Sequence, residues 1–135
     1  MREILFRGKR ADDGAWVYGW LCRYPFGRWP LKDAIIPSED AEGGYHHFVE
    51  VDPSTVGQFA GLPDKNGKRI FEGDVVAYPE YGNLAVVWDD GLFQLAKNDT
   101  FYERLDHYSS AAAIIIGNIH DNPELLEAPD GGPED

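Results

Sequence analysis

Apolar and polar residues alternate along this chain in short runs, punctuated by glycine, proline and aspartate or asparagine turns. That rhythm predicts strands almost throughout. Ile4 to Arg7 reads as a first strand, and "KRADDGA" follows as a turn, with Asp13-Gly14 suited to positive φ. Trp16 to Arg23 is a second strand. Its even positions, Trp16, Tyr18, Trp20 and Cys22, followed by Tyr24, put large amphipathic side chains on one face. Such a face is expected to be core, or a core shared with a partner chain; a ligand platform is the sharper alternative. Pro25 to Gly44 is interrupted by Pro25, Pro30 and Pro37 and by "SEDAEGG", and reads as one long loop. "YHHFVEV", Tyr45 to Val51, is strand-like, and Asp52-Pro53-Ser54-Thr55 turns the chain toward Val56 to Phe59.

The second half repeats the pattern more regularly. Strands are expected at Asp74 to Tyr78, Leu84 to Trp88 and Leu92 to Lys97, and "SAAAIIIGNI" supplies a last one. "PEYGN" and Asp89-Asp90-Gly91 are the turns between them. Turn signals spaced by roughly 8–12 residues suit a small sandwich or barrel, here of SH3-like rhythm. Asn122-Pro123 can open a short final helix over Glu124 to Glu127, and "APDGGPED" is expected to be a disordered acidic tail. The fold class is therefore mainly β. A β-rich hairpin portion over residues 1–60 carries the long loop 25–44, a barrel-like portion follows over 61–127, and the tail is 128–135.

Composition sharpens this picture in two ways. Of 135 residues, 43% are hydrophobic, enough for a real core, and 15 glycines with nine prolines favour many short elements. The net charge of −12 is unevenly spread. Met1 to Lys32 carries seven Lys/Arg against three acids, whereas Asp33 to Asp64 and His120 to Asp135 carry seven and six acids with no Lys or Arg. A chain this acidic is repelled by nucleic-acid phosphates unless Arg2, Arg7, Lys9 and Arg10 form a local basic patch. The lone Cys22 reads as a small buried hydrophobe in a reducing compartment. Charged residues directly after Met1, and the lack of a run near the ~20 apolar residues of a membrane span, point to a cytosolic protein without membrane contact.

Candidate chemistry is sparse. "AGLPDKNGKRIFEGDVVAY" looks like a phosphate-gripping loop, but five residues separate Gly61 from Gly67 where the motif needs four. Arg69 stands where the metal-binding hydroxyl belongs, Pro63 lacks a donor, Asp64 adds a negative charge, and a strand follows instead of a helix. Asn66-Gly67 fits a tight turn better. His46 and His47 are adjacent and point to opposite faces of a strand, while His107 and His120 lie far from them, so no metal set is expected. No nucleophile elbow surrounds a serine, and Asp12-Asp13 and Asp89-Asp90 stand beside glycines as turns. No catalytic, cofactor-binding or metal-ligating residue is assigned, and no cofactor is expected.

Three blocks carry a family likeness: "REILFRGKRADDGAWVYGWL", "VGQFAGLPDKNGKRIFEGDVV" and "IIIGNIHDNPELLE". With them the chain resembles the YopX family, small proteins encoded mainly by bacteriophages and prophages. The blocks cover about 55 of the 135 residues and span both ends. Ala60 and Pro63 depart from the pattern. The resemblance implies a mainly β protein that assembles into homo-oligomers in the cytoplasm of a bacterial host; it implies no activity, cofactor or catalytic residue. Within the shared blocks, Gln58, Gly61, Asp64, Asn66, Gly67, Glu72, Gly73 and Asp74 are turn formers or backbone binders that fix a shaped connection, with a partner-gripping surface as the alternative. Asn118, Asn122 and Pro123 read the same way.

Four functions compete. The first is a phage accessory protein acting through contacts with itself and with a host or phage protein. The second is an acidic DNA mimic, which needs carboxylates arrayed at roughly one charge per 1.7 Å. The third is a nucleic-acid-binding barrel using Arg2, Arg7, Lys9, Arg10, Arg23 and Arg28 beside aromatic residues, against which the net charge argues. The fourth is an enzyme whose carboxylates only the fold would assemble.

Overall fold

A computed structural model describes residues 4–38 and 48–127; residues 1–3, 39–47 and 128–135 lie outside it. The strands are β1 Phe6–Lys9, β2 Trp16–Tyr24, β3 Lys32–Pro37, β4 Val49–Glu50, β5 Gly57–Pro63, β6 Arg69–Phe71, β7 Asp74–Tyr78, β8 Gly82–Asp89, β9 Leu92–Lys97, β10 Thr100–Arg104 and β11 Ile114–Asn118. One short helix, α1 His107–Ser110, and 3₁₀ turns at Pro53–Thr55 and Pro123–Leu126 complete the described elements. The protein is mainly β, with antiparallel sheets, as its sequence predicts. It divides into two compact units, Met1–Phe59 and Ala60–Asp135.

In the first unit the strand order is β4-β3-β2-β1-β5. Val17, Ile35, Val49 and Val51 form its core, with Phe6 and Val56 packed against them. Partner positions in an antiparallel ladder share a face, and Val17 pairs with Gly8 as Ile35 pairs with Val49. The core face of β2 is thus the odd one. A Cβ at Gly19, on that face, would collide with the Ile36 carbonyl, so only glycine fits. Thr55 ties the 3₁₀ turn to β1: its Oγ1 accepts the Lys9 N–H at 2.8 Å and donates to the Asp52 carbonyl at 2.6 Å.

Two expectations for this unit are corrected. The stretch 25–44 is not one loop, because Lys32–Pro37 forms β3 with Ile35 fully buried at its centre. Pro30 precedes that strand and Pro37 is its last residue, so neither interrupts it. The even, aromatic face of β2 is not the chain's own core: Tyr18 and Trp20 are 40% and 42% exposed. Aromatic size suggested burial, but the smaller Val17 and Gly19 fit beneath the close β1 and β3 neighbours. Of the strand expected over Tyr45 to Val51, the described part is β4 and a bridge from Val51 to Arg10; residues 45–47 lie outside the described residues, as do the tail and loop residues 39–44.

In the second unit the order is β10-β9-β8-β7-β11. Strands β7 to β10 form a meander, and α1 then returns the chain so that β11 lies antiparallel beside β7. Ala60, Ile70, Val76, Leu84, Val86, Phe93, Leu95, Leu105 and Ala113 make up the core. The turn at Asp90 (φ 55°) and Gly91 (φ 83°) has the left-handed pair that a two-residue hairpin prefers. Asn98 (φ 49°) and Asp99 (φ 66°) form a second such turn into β10, a strand the apolar pattern did not announce. Helix α1 is likewise unannounced; its start is a capping box in which Asp106 accepts the Tyr108 and Ser109 N–H groups and Ser109 Oγ accepts the Asp106 N–H. The short final helix takes 3₁₀ form. No helix among the described residues is long and apolar enough to cross a membrane.

Candidate functional site

The central block that looked like a phosphate loop is a set of backbone clamps within the second unit. Asp64 is buried at the β5–β6 hairpin. Its Oδ1 accepts N–H groups from Asn66 (2.8 Å) and Lys68 (2.9 Å), and its Oδ2 accepts the Ile115 N–H of β11 (2.9 Å). Beside it, the Lys65 N–H donates to the Ala113 carbonyl at 2.8 Å. Gly67, at φ 86°, closes the turn. Burial opposes ionisation of Asp64, but the Ile115, Lys68 and Asn66 amides together outweigh it and hold the carboxyl below its ordinary value. These amides are the donors a phosphate would need, and an internal carboxylate already fills them.

The rest of the shared blocks does similar work. Asp74 Oδ2 accepts the Phe71 N–H at 2.7 Å, and Gly73, at φ 94°, donates to Val86 O and accepts the Ile119 N–H, each at 2.8 Å. Asn118 Oδ1 accepts the N–H groups of His120 and Asp121, both at 2.9 Å, and Asn122 Oδ1 accepts the Asn118 N–H at 3.2 Å. Gly117 leaves room for this turn: a Cβ there would lie 2.5 Å from Asn122 Oδ1 and 2.8 Å from Leu125 Cδ1. Asp12 and Asp52 also spend their carboxylates locally, on Arg10 and on the Ser54 N–H.

His107 packs its ring against Tyr108 at 4.1 Å in α1, His120 follows β11, and His46 and His47 lie outside the described residues. Among the described residues no group of three or more His, Cys, Asp or Glu could hold a metal ion. Cys22 is half-buried, and that burial pushes its thiol upward.

What the first unit offers is a surface. Trp16, Tyr18, Trp20, Cys22 and Tyr24 form a row along β2, and the partner positions Lys9, Arg7, Ile36, Ala34 and Lys32 share its face. The Arg7 guanidinium lies 4.6 Å from the Trp16 ring centroid and the Lys9 ammonium 5.5 Å from it. Of the described basic residues the sequence singled out, Arg7, itself buried, and Lys9 are brought together on this face. Arg10 is held by Asp12 at 3.0 Å and Asp13 at 3.4 Å, Arg23 pairs with Asp33 on the opposite face, and Arg2 lies outside the described residues.

Two clusters escaped the sequence. Tyr24 stacks on Phe48 (4.0 Å between centroids) and meets the edge of Phe26 (4.9 Å). Phe26 and Phe48 line a cleft of about 430 Å³ with Arg10, Ala11, Asp12, Val49 and Glu50. In the second unit Tyr81 lies 5.9 Å from Tyr78 and 5.2 Å from Tyr102. The Tyr78 hydroxyl is raised by burial and then by the charges of Glu103 and Asp106. Tyr24 and Phe26, and likewise Tyr78 and Tyr81, are close in sequence; Phe48 and Tyr102 join them only through the fold, so local spacing did not announce the full clusters.

An all-antiparallel β protein of two units, with turn-building acids and an outward aromatic row, is thereby defined. The sequence model of a family described as YopX protein matches residues 5–127. The chain belongs to the YopX family. In fold it is similar to the crystal structure of protein EF1440 from Enterococcus faecalis, with a TM-score of 0.56 and 22% identity over 94% of this chain and 100% of that one. No curated protein matches the chain.

Proposed function

We propose that this protein is a phage-type accessory protein that works by contact: it assembles with copies of itself through the aromatic face of β2 and presents the assembly to a host or phage protein in the bacterial cytoplasm. The observation that carries this reading is the outward direction of Tyr18 and Trp20, whose large apolar rings face solvent on a regular strand while Val17 and Gly19 fill the core. Rings at alternate positions of one strand stand about 7 Å apart and present one continuous apolar row. Rows of this kind mark interaction surfaces, and Trp and Tyr dominate interface energetics. The homo-oligomers expected from the family resemblance supply the partner. The second unit's strand order, with one short helix before the returning strand, supports an SH3-like small barrel.

Light scattering coupled to size exclusion at micromolar concentration tests the reading. A mass that is a multiple of 15.1 kDa supports it; a strict monomer of 15.1 kDa sinks the self-assembly part. One observation favours a second reading: Lys9 beside Trp16 combines cation and ring as single-stranded nucleic-acid grooves do. Gel shifts at low salt separate the two, since contact between copies needs no nucleic acid. The mimicry reading loses support because Asp12, Asp52, Asp64, Asp74 and Asp106 are each engaged in a local turn, cap or clamp instead of forming an outward array.

A further inference from the structure

We propose that the cleft between Phe26, Phe48 and Glu50 is a receptor for a basic side chain, an arginine or lysine, presented by a protein partner. The inference goes beyond the self-assembly reading and stands whether or not the chain forms oligomers. Three observations converge on it. The cleft, about 430 Å³, is large enough for one long side chain with its flanking backbone, and falls within the size range of ligand sites. Its wall is aromatic and pre-arranged: Phe48 is braced face to face by Tyr24 at 4.0 Å, and Phe26 is set edge-on to the same ring at 4.9 Å. Phe26 reaches that place through a left-handed backbone (φ 50°) that few residues with a Cβ adopt. Aromatic faces attract cations, guanidinium most often.

The third observation is charge. Among the described residues, the charged side chains lining the cleft are Arg10, Asp12 and Glu50. Arg10 already donates Nε and Nη2 to the two oxygens of Asp12, both at 3.0 Å, and its Nε lies 3.4 Å from Asp13. Two carboxylates thus answer one guanidinium, and Glu50 adds a further negative charge to the lining. The balance is negative, so a cation is drawn in and an anion repelled. A methylene stem packs on the rings while the charged head meets Glu50, the division of labour that suits arginine and lysine.

The test is a titration of the full ¹⁵N-labelled chain, followed by amide shifts, with acetyl-Gly-Arg-Gly-amide and with its citrulline counterpart. Citrulline keeps the shape and removes the charge. The arginine peptide is expected to shift the amides of Ala11, Phe26, Phe48, Val49 and Glu50, with the citrulline peptide at least about fivefold weaker. Phe48→Ala should weaken arginine binding about tenfold. Glu50→Gln, which alters only a half-exposed charge and keeps the fold, should weaken it about two- to fivefold. Equal binding of both peptides, absence of shifts at these amides, or unchanged affinity in Glu50→Gln would each overturn the proposal.

Discussion

Asp64 offers the sharpest test of how the shared central block works. Its carboxylate accepts three backbone N–H groups, two inside its own turn and one from Ile115, which lies 51 residues away in sequence. Hydrogen bonds to a charged acceptor contribute about 1.5–3 kcal/mol each when buried. The two turn amides can fall back on water, so most of their contribution is recovered; the Ile115 amide is part-buried and is not so easily rescued. Asp64→Ala should therefore cost about 3–4 kcal/mol. Asp64→Asn keeps one carbonyl for the turn but aims an NH₂ at the Ile115 N–H, and should cost about 2 kcal/mol. Urea unfolding followed by the fluorescence of Trp88, in β8, reads both. The pH dependence adds a sign. The folded carboxyl is held below its ordinary value of 3.8, so its contribution is complete above about pH 4 and is lost as pH falls through the lower folded value. The acid limb of the stability curve should flatten in Asp64→Asn. Asp64→Ala within about 0.5 kcal/mol of the parent would refute the clamp.

The remaining predictions concern packing and surface. Gly117→Ala drives a Cβ into Asn122 and Leu125 and should cost about 1–3 kcal/mol, lowering the thermal midpoint by several degrees. Gly19→Ala meets a backbone carbonyl instead of a movable side chain, so it should be worse than Gly8→Ala, whose Cβ meets only Val51 at 3.2 Å; circular dichroism melts compare the two. Ser109→Ala removes both an acceptor for the Asp106 N–H and a donor to the Arg104 carbonyl at 2.7 Å, and should cost about 1–2 kcal/mol in the same assay. Trp20→Ala, at a residue 42% exposed, should destabilise the monomer by less than the roughly 3–5 kcal/mol of a fully buried Trp→Ala.

Much of the fold was legible because turn chemistry is local. Gly67 and the pair Asp90-Gly91 carry their φ signs in their own residue types, and the runs at Asp74, Leu84, Leu92 and Ile114 alternate or lengthen as strands do. What was hidden depends on pairing across distance. β3 hid between prolines, which mark its ends as well as they would mark a loop. β10 hid because Thr100, Phe101 and Arg104 are exposed edge residues with no apolar alternation. The direction of the β2 aromatics inverted the usual rule: ring size argued for burial, yet the inner space is set by the Ile36 backbone over Gly19 and by Val51 against Gly8. The candidate surfaces were less legible still. Trp16, Tyr18 and Trp20 were visible as a row, but the Phe26–Phe48 cleft exists only once β2, β3 and β4 are paired.

The account rests on the β2 face being a contact surface between copies. Sedimentation velocity over a micromolar concentration series, on the parent chain and on Trp20→Glu, tests that most directly. The account predicts a concentration-dependent oligomer for the parent and a 15.1 kDa monomer with intact circular dichroism for the variant. A monomeric parent, or an oligomer that Trp20→Glu leaves intact, would contradict it.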